Sequence, residues 1–157
     1  MSTQQDVISI KPHHFVDILR SLGSGKSKYE AHPYGHAQHI VAEHILRDRD
    51  VILEIELGID DICLPCKHNI DGICDDTIDT SFRPDAPSSK GEWNLMIDQR
   101  WCERLQLKPG DRMTARKLCE LLRDNTSDIT DIYREVTAER IAERARKLKE
   151  GIRIFLG

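Results

Sequence analysis

Three of the five cysteines in this 157-residue chain fall within a stretch of twelve residues, at Cys63, Cys66 and Cys74. The first two are spaced C-x2-C, a spacing that lets two thiolates converge on one metal. Pro65 and the Asp71-Gly72 pair are typical of turns, so we predict a metal-wrapping loop here, neither helix nor strand. Thiolates are soft ligands and favour zinc, copper(I) or iron–sulfur centres over calcium or magnesium.

The same cysteines could instead be free thiols or disulfide partners. A disulfide scaffold is typically short, carries an even number of cysteines and follows a signal peptide. This chain is longer, its cysteine count is odd, and residues 1–6 show neither a basic segment nor an apolar core. We therefore expect a cytoplasmic protein whose cysteine cluster binds a metal or has a redox role.

Three thiolates leave a four-coordinate site incomplete. For zinc, His68 would complete a Cys3His set, and His13 or His14 could do the same from a first helix. For an iron–sulfur centre, three cysteines can leave one iron open as a Lewis acid. Since the spacing matches neither a bacterial ferredoxin nor a paired zinc ribbon, it leaves the two metals evenly balanced.

Composition indicates an ordinary soluble protein. Hydrophobic residues make up 39% and charged residues 32% of the chain, and no apolar run approaches the roughly 20 residues of a membrane span. The net charge is −4 and no basic stripe stands out, which argues against nucleic acid as a partner.

Hydrophobic periodicity predicts an α+β fold, a mostly helical single domain with four to six helices around a small sheet of two or three strands. Strands are predicted at 7–10, 51–57 and 152–156. Helices are predicted at about 12–22, 33–47, 90–105, 115–123, 128–136 and 138–150, with Gly151 ending the last one and a long surface loop at 75–90. We expect residues 1–125 to form the metal-binding domain and 126–157 a helical extension packed on it.

Two other sets of residues could carry chemistry. His32, His36, His39 and His44 recur at spacings that place them near one face of the predicted second helix, either as a second metal or proton-handling site or as a polar face. Cys102 and Cys119 fall on or beside apolar helix stripes, where a free cysteine acts as a small hydrophobic residue. We expect both of these cysteines to pack in the core.

Two motifs give the chain a resemblance to a known family. Lys11-Pro12-His13-His14, followed by the segment from Asp60 to Cys66 and by Asp71-Gly72-Ile73-Cys74, resembles domain-of-unknown-function family 1284 over about the first 125 residues. The turn at 107–111 also looks like this family. Its members are small bacterial and archaeal proteins thought to bind an iron–sulfur centre. The resemblance therefore implies a cofactor, most simply a 4Fe-4S cluster. It does not indicate which reaction, if any, the protein catalyses.

The chain departs from that family at Asp17, where the pattern has a cysteine three positions after the second histidine. The fourth ligand would then be an oxygen, an imidazole or a substrate. His13 and Asp17 are four residues apart and can face the same way on a helix. Three functions follow as alternatives: an iron–sulfur protein working with a redox partner or a small-molecule substrate, a structural zinc module for protein interaction or assembly, or a catalytic pocket in which the histidines move protons.

Overall fold

A mixed three-stranded sheet forms the centre of the computed structural model, which describes residues 6–26 and 28–157. β1 (Val7–Ile10) pairs in parallel with β2 (Ile52–Ile55), and β5 (Arg112–Thr114) pairs antiparallel with the other edge of β2. The predicted strand at 7–10 is confirmed, and the one at 51–57 is shorter than expected. Residues 1–5, from which we inferred that an export signal is absent, and Ser27 of the loop after the first helix lie outside the described residues.

Five helices surround this sheet in the described residues, which confirms the predicted α+β class. They are α1 (Pro12–Gly23), α2 (Gln38–Arg47), α3 (Lys90–Leu105), α4 (Ala115–Asn125) and α5 (Ala138–Leu156). The hydroxyls of Thr114 and Thr137 accept hydrogen bonds from the N–H groups three residues later, as expected of N-caps. None of the described helices is both long enough and apolar enough to cross a membrane.

Two of the predicted elements are wrong, and a third begins later than expected. The second helix begins at Gln38 and not at 33, so His32 and His36 precede it. Residues 128–136 form turns and no helix, because the Asp128 side chain accepts the N–H of Thr130 and so competes with helical hydrogen bonding. The predicted strand at 152–156 is the last part of α5.

α5 continues through Gly151 because this glycine lies where α5 crosses α1. A Cβ on Gly151 would collide with the backbone carbonyl of Leu19, and a Cβ on Gly23 would collide with that of Lys147. The two glycines thus let the helix backbones approach closely, and this outweighs the low helix propensity of glycine. α5 also packs against α4, while a domain boundary at 125 stays a prediction.

The cysteine segment is not a plain loop, which corrects our expectation. Asn69–Ile70 (β3) and Ile73–Cys74 (β4) form a small antiparallel hairpin. Asp71 and Gly72, at its tip, both have positive φ angles of 53° and 86°, as a two-residue type I′ turn requires. The hairpin pairs Cys74 with Asn69, and Asn69 is itself hydrogen-bonded to Cys66. Cys74 is thereby brought back toward the C-x2-C segment.

Candidate metal centre

A cavity of about 240 Å³ opens between the first turns of α1, the segment before α2, the cysteine hairpin and the start of α3. Its lining includes every residue proposed from the sequence as a ligand: Cys63, Cys66, Cys74, His13, His14, Asp17 and His68. The three cysteines are free thiols. The fold therefore brings candidate ligands that are up to 61 positions apart in the chain to the wall of one cavity.

Backbone hydrogen bonds hold the C-x2-C segment in a tight turn. The N–H of Cys66 donates to the carbonyl of Cys63 at 3.0 Å, and the N–H of Asn69 donates to the carbonyl of Cys66 at 3.0 Å. The N–H of His68 points at the sulfur of Cys66, 3.5 Å away. Such a hydrogen bond would stabilise the negative charge on the sulfur of Cys66 if it were bound to a metal.

Asp60 joins the cysteine segment to α1. Its buried carboxylate accepts hydrogen bonds from the N–H of Cys63 at 3.0 Å, the N–H of Lys11 at 2.8 Å and the ring Nδ1 of His14 at 2.6 Å. Burial acts to raise the pKa of Asp60, but His14 and the two N–H donors outweigh it and hold the pKa well below its usual range. Asp60 is therefore an anion fixed in place beside the cavity.

His14 is oriented by Asp60 toward a cysteine. Its second ring nitrogen, Nε2, lies 4.0 Å from the sulfur of Cys63. Donor atoms of His14, Asp60 and Cys63 lie within 4.8 Å of one another, so these three residues could hold a metal ion. Burial and His13 act to lower the pKa of His14, while Asp60 raises it, and the net pKa lies above its ordinary value.

His13 has a parallel arrangement with a different carboxylate. Asp98, buried on α3, accepts the backbone N–H of His13 at 2.7 Å and its ring Nδ1 at 2.8 Å. Burial acts to lower the pKa of His13, but the charge and hydrogen bond of Asp98 raise it on balance. The rings of His13 and His14 lie 4.2 Å apart, centroid to centroid, so two Asp–His pairs stand side by side at the cavity wall.

Lys11 places a positive charge next to the cluster of thiols. Its side chain is buried, and its Nζ lies 3.7 Å from the sulfur of Cys63. In the part of the chain that the structure describes, this ammonium forms no ion pair with a carboxylate. Its positive charge would offset the negative charge on the sulfur of Cys63 if that sulfur were bound to a metal.

His68 faces the cavity but is already engaged. Its Nδ1 forms a hydrogen bond with Asp75 at 2.7 Å, and its Nε2 lies 3.9 Å from Asp76. Its ring also contacts that of Tyr34, 4.5 Å away between centroids. A role as the fourth ligand of zinc stays a prediction, and it would fall to Nε2 because Asp75 holds Nδ1.

Asp17 lines the cavity and forms ion pairs at its rim. Its Oδ1 lies 3.3 Å from the guanidinium of Arg20, one turn along α1, and 3.5 Å from that of Arg144 on α5. Its carboxylate is therefore shared between the cavity and two arginines. The proposed role of Asp17 at the fourth position stays a prediction.

The histidine set at 32–44 divides into two groups. His32 stacks on His36 with ring centroids 4.5 Å apart, and His36 lines the cavity. Burial, and then the nearby His32, lower the pKa of His36. His39 and His44 lie on α2 outside the lining, so the four do not make one site.

Cys102 and Cys119 lie in the hydrophobic core and not at the cavity. Burial raises the pKa of the Cys102 thiol to about 11 and that of the Cys119 thiol to about 12. Both are therefore neutral thiols at physiological pH. This agrees with their predicted packing role.

Asp98 was not identified from the sequence, and Lys11 and Asp60 were named there only as members of the two motifs, without a role in the site. Asp60 had a local signal, because an aspartate side chain commonly accepts the backbone N–H three residues later, as an N-cap residue does, and Cys63 is at that position. Asp98 had none, since it is 85 residues from its partner His13. The residues present fit a soft metal centre: three thiols at one cavity, one N–H and one ammonium directed at their sulfurs, and an imidazole held by a buried carboxylate.

Comparison with known proteins identifies no relative. The chain matches no protein-family profile, no curated protein and no solved structure. The resemblance to family 1284 therefore stays a prediction, and the function has to be argued from the site itself.

Proposed function

We propose that this protein binds an iron–sulfur cluster through Cys63, Cys66 and Cys74, with a fourth position that no cysteine fills. The observation that carries the proposal is that these three thiols line one cavity, whereas the two core cysteines lie away from it. The resemblance to family 1284 points to the same cofactor. An iron–sulfur cluster of the 4Fe-4S type takes up to four thiolates, so three would leave one iron for another ligand.

The size of the cavity favours a cluster over a single ion. Its volume of about 240 Å³ compares with about 30 Å³ for one water molecule in the liquid, so one zinc ion would fill little of it. Lys90 is paired with Asp76 at 3.4 Å, whereas the ammonium of Lys11 faces the sulfur of Cys63, where it would offset the negative charge of cluster and thiolates. Hydrogen bonds and nearby positive charges are among the features that set the reduction potential of such clusters.

His14 and Asp17 are the candidates for the fourth position. Asp60 fixes the ring of His14 so that Nε2 faces Cys63, as expected when an outer carboxylate orients a ligating histidine. Asp17 would offer a carboxylate that Arg20 and Arg144 already hold. When bound, the cluster would supply either electron transfer to a redox partner or a Lewis-acidic iron for a small-molecule substrate.

Zinc is the second candidate, and one observation favours it. His14, Asp60 and Cys63 bring an imidazole, a carboxylate and a sulfur within 4.8 Å of one another, a combination common at zinc sites. His68 would be an alternative imidazole, through its Nε2. In this form the protein would be an interaction or assembly module stabilised by its metal.

The deciding experiment is the quantification of iron, acid-labile sulfide and zinc in protein purified without oxygen. We expect a coloured protein with iron and sulfide in equal amounts and little zinc. Changing Cys63, Cys66 or Cys74 singly to alanine should strip most of the metal. Cys102→Ala is the matched control and should retain it. Stoichiometric zinc without sulfide would instead support the second candidate, and full metal content in all three site variants would disprove both.

A further inference from the structure

A second cavity, of about 160 Å³, opens between α1, α5 and the segment that follows the cysteine hairpin. Its lining carries five cationic side chains and one carboxylate: Arg20, Arg83, Arg140, Arg144, Lys147 and Glu143. The whole chain has a net charge of −4, so this is a local concentration of opposite sign. The arginines come from three separate segments, and the fold brings them together.

Aromatic rings hold two of these arginines in position. The guanidinium of Arg140 lies 4.0 Å from the centre of the Phe82 ring, and that of Arg83 lies 4.5 Å from the same ring. Arg83 also lies 5.1 Å from the ring of Trp93 and donates from Nε to the carbonyl of Asp79 at 2.9 Å. Such contacts fix a guanidinium while leaving most of its N–H donors unused.

The charges of Arg83 and Arg140 are not balanced by ion pairs. Among residues 6–26 and 28–157, neither guanidinium lies within ion-pairing distance of a carboxylate. Burial, and then the like charge of Arg144, lower the pKa of Arg83, although the carboxylate of Asp79 acts in the opposite direction. Like charges held close together raise the free energy of the folded chain unless an anion joins them.

The remaining charges at this cavity are partly matched. Lys147 pairs with Glu143 at 3.1 Å. Arg20 and Arg144 share a single oxygen of Asp17. The cavity therefore keeps an excess of positive charge that suits a doubly charged ligand better than a singly charged one.

We propose that this cavity binds a phosphate group, either as free phosphate or as the phosphate of a small phosphomonoester. A guanidinium group can donate two parallel hydrogen bonds to the oxygens of a phosphate, and several arginines together neutralise the charge of the phosphate. The volume leaves room for one compact oxyanion, whereas the rest of a larger molecule would extend into solvent. The proposal does not depend on the identity of the metal.

Calorimetric titration of the purified full chain tests this proposal, with inorganic phosphate and glycerol phosphate as separate probes at constant ionic strength. We expect saturable binding of at least one probe, and the tighter of the two identifies the source of the phosphate. Arg140 is exposed, so Arg140→Gln should fold normally and weaken binding by about tenfold, the loss expected for one charged hydrogen bond. Arg83→Gln should weaken it similarly.

Arg146→Gln is the matched control, since it removes one positive charge from an exposed position on the same helix, outside the cavity. It should leave the affinity within about twofold of the parent. Arg140→Lys keeps the charge without the fork and should bind with intermediate affinity. No saturable binding of either probe by the parent, or an equal loss in Arg140→Gln and Arg146→Gln, would overturn the proposal.

Discussion

Asp98 holds both the backbone and the ring of His13, accepting the N–H at 2.7 Å and Nδ1 at 2.8 Å. The carboxylate lies on α3 and the histidine on the first turn of α1. One buried side chain thus sets the position of α1 at the cavity and fixes which ring nitrogen of His13 is left to face other groups. From the cysteine side, Asp60 holds the ring of His14 and accepts the backbone N–H of Lys11 just before α1.

We expect Asp98→Asn to lower the free energy of unfolding by about 2 kcal/mol at pH 5.5, because it removes a charged hydrogen bond in a buried site. The pKa of His13 is raised in the folded protein, so this stabilisation is complete below the unfolded pKa of about 6.5 and declines as pH rises through the folded value. The difference in free energy of unfolding between parent and variant, measured with urea, should therefore become smaller toward pH 9. The exposed Asp85→Asn serves as the control, and a gap that is independent of pH would contradict this account.

Asp17→Cys and Asp17→Ala test the fourth position of the metal centre. If Asp17 lies at the open position, the cysteine variant should change the cluster spectrum and resist added small ligands, since a thiolate binds iron more firmly than a carboxylate. The alanine variant should bind such ligands more readily than the parent. Arg20→Gln, which breaks an ion pair but keeps the carboxylate, is the control. Equal spectra and ligand affinities in parent and both variants would place Asp17 away from the metal.

Gly151→Ala should destabilise the protein by about 1–3 kcal/mol, because its methyl group would collide with the carbonyl of Leu19 on α1. The collision outweighs the gain of about 1 kcal/mol that alanine otherwise brings to a helix interior, so the net effect is destabilising. Chemical denaturation measures the difference. Lys149→Ala, at an exposed position of the same helix, should leave stability nearly unchanged. A stabilised Gly151→Ala variant would mean that the two helices do not cross so closely.

Cys119→Ala should cost about 1 kcal/mol through a small cavity and leave the metal content unchanged. Because burial raises the pKa of this thiol to about 12, it should also react slowly with thiol reagents until the protein unfolds. Reagent kinetics in native and denatured protein measure this. Loss of metal in Cys119→Ala would identify this residue as a missing ligand.

The parts of the fold that could be predicted from the sequence are those with a local signal. Phe15, Ile18, Leu19 and Leu22 recur at helical spacing, and α1 forms where they predict it. Ile152 and Phe155 were misread as a strand because glycine usually ends a helix. The close approach of α1, which makes Gly151 necessary inside α5, involves a residue more than a hundred positions away.

The same distinction holds for the site. Cys63, Cys66 and Cys74 could be identified because their spacing is short and specific. Arg20, Arg83 and Arg140 could not be recognised as one cluster, since each lies in a different segment. Viewed along α5 alone, Arg140 and Arg144 belong to a stretch of mixed charge that resembles an ordinary solvated helix face.

α5 packs against the helix that carries His13 and His14, yet it is synthesised after all three cysteines of the hairpin. While the ribosome is still adding residues 138–156, Asp60 and Asp98 are already present to hold His14 and His13, but α1 has no α5 to cover its apolar face. We therefore expect chains truncated before residue 138 to aggregate, because that face stays exposed to other unfinished chains.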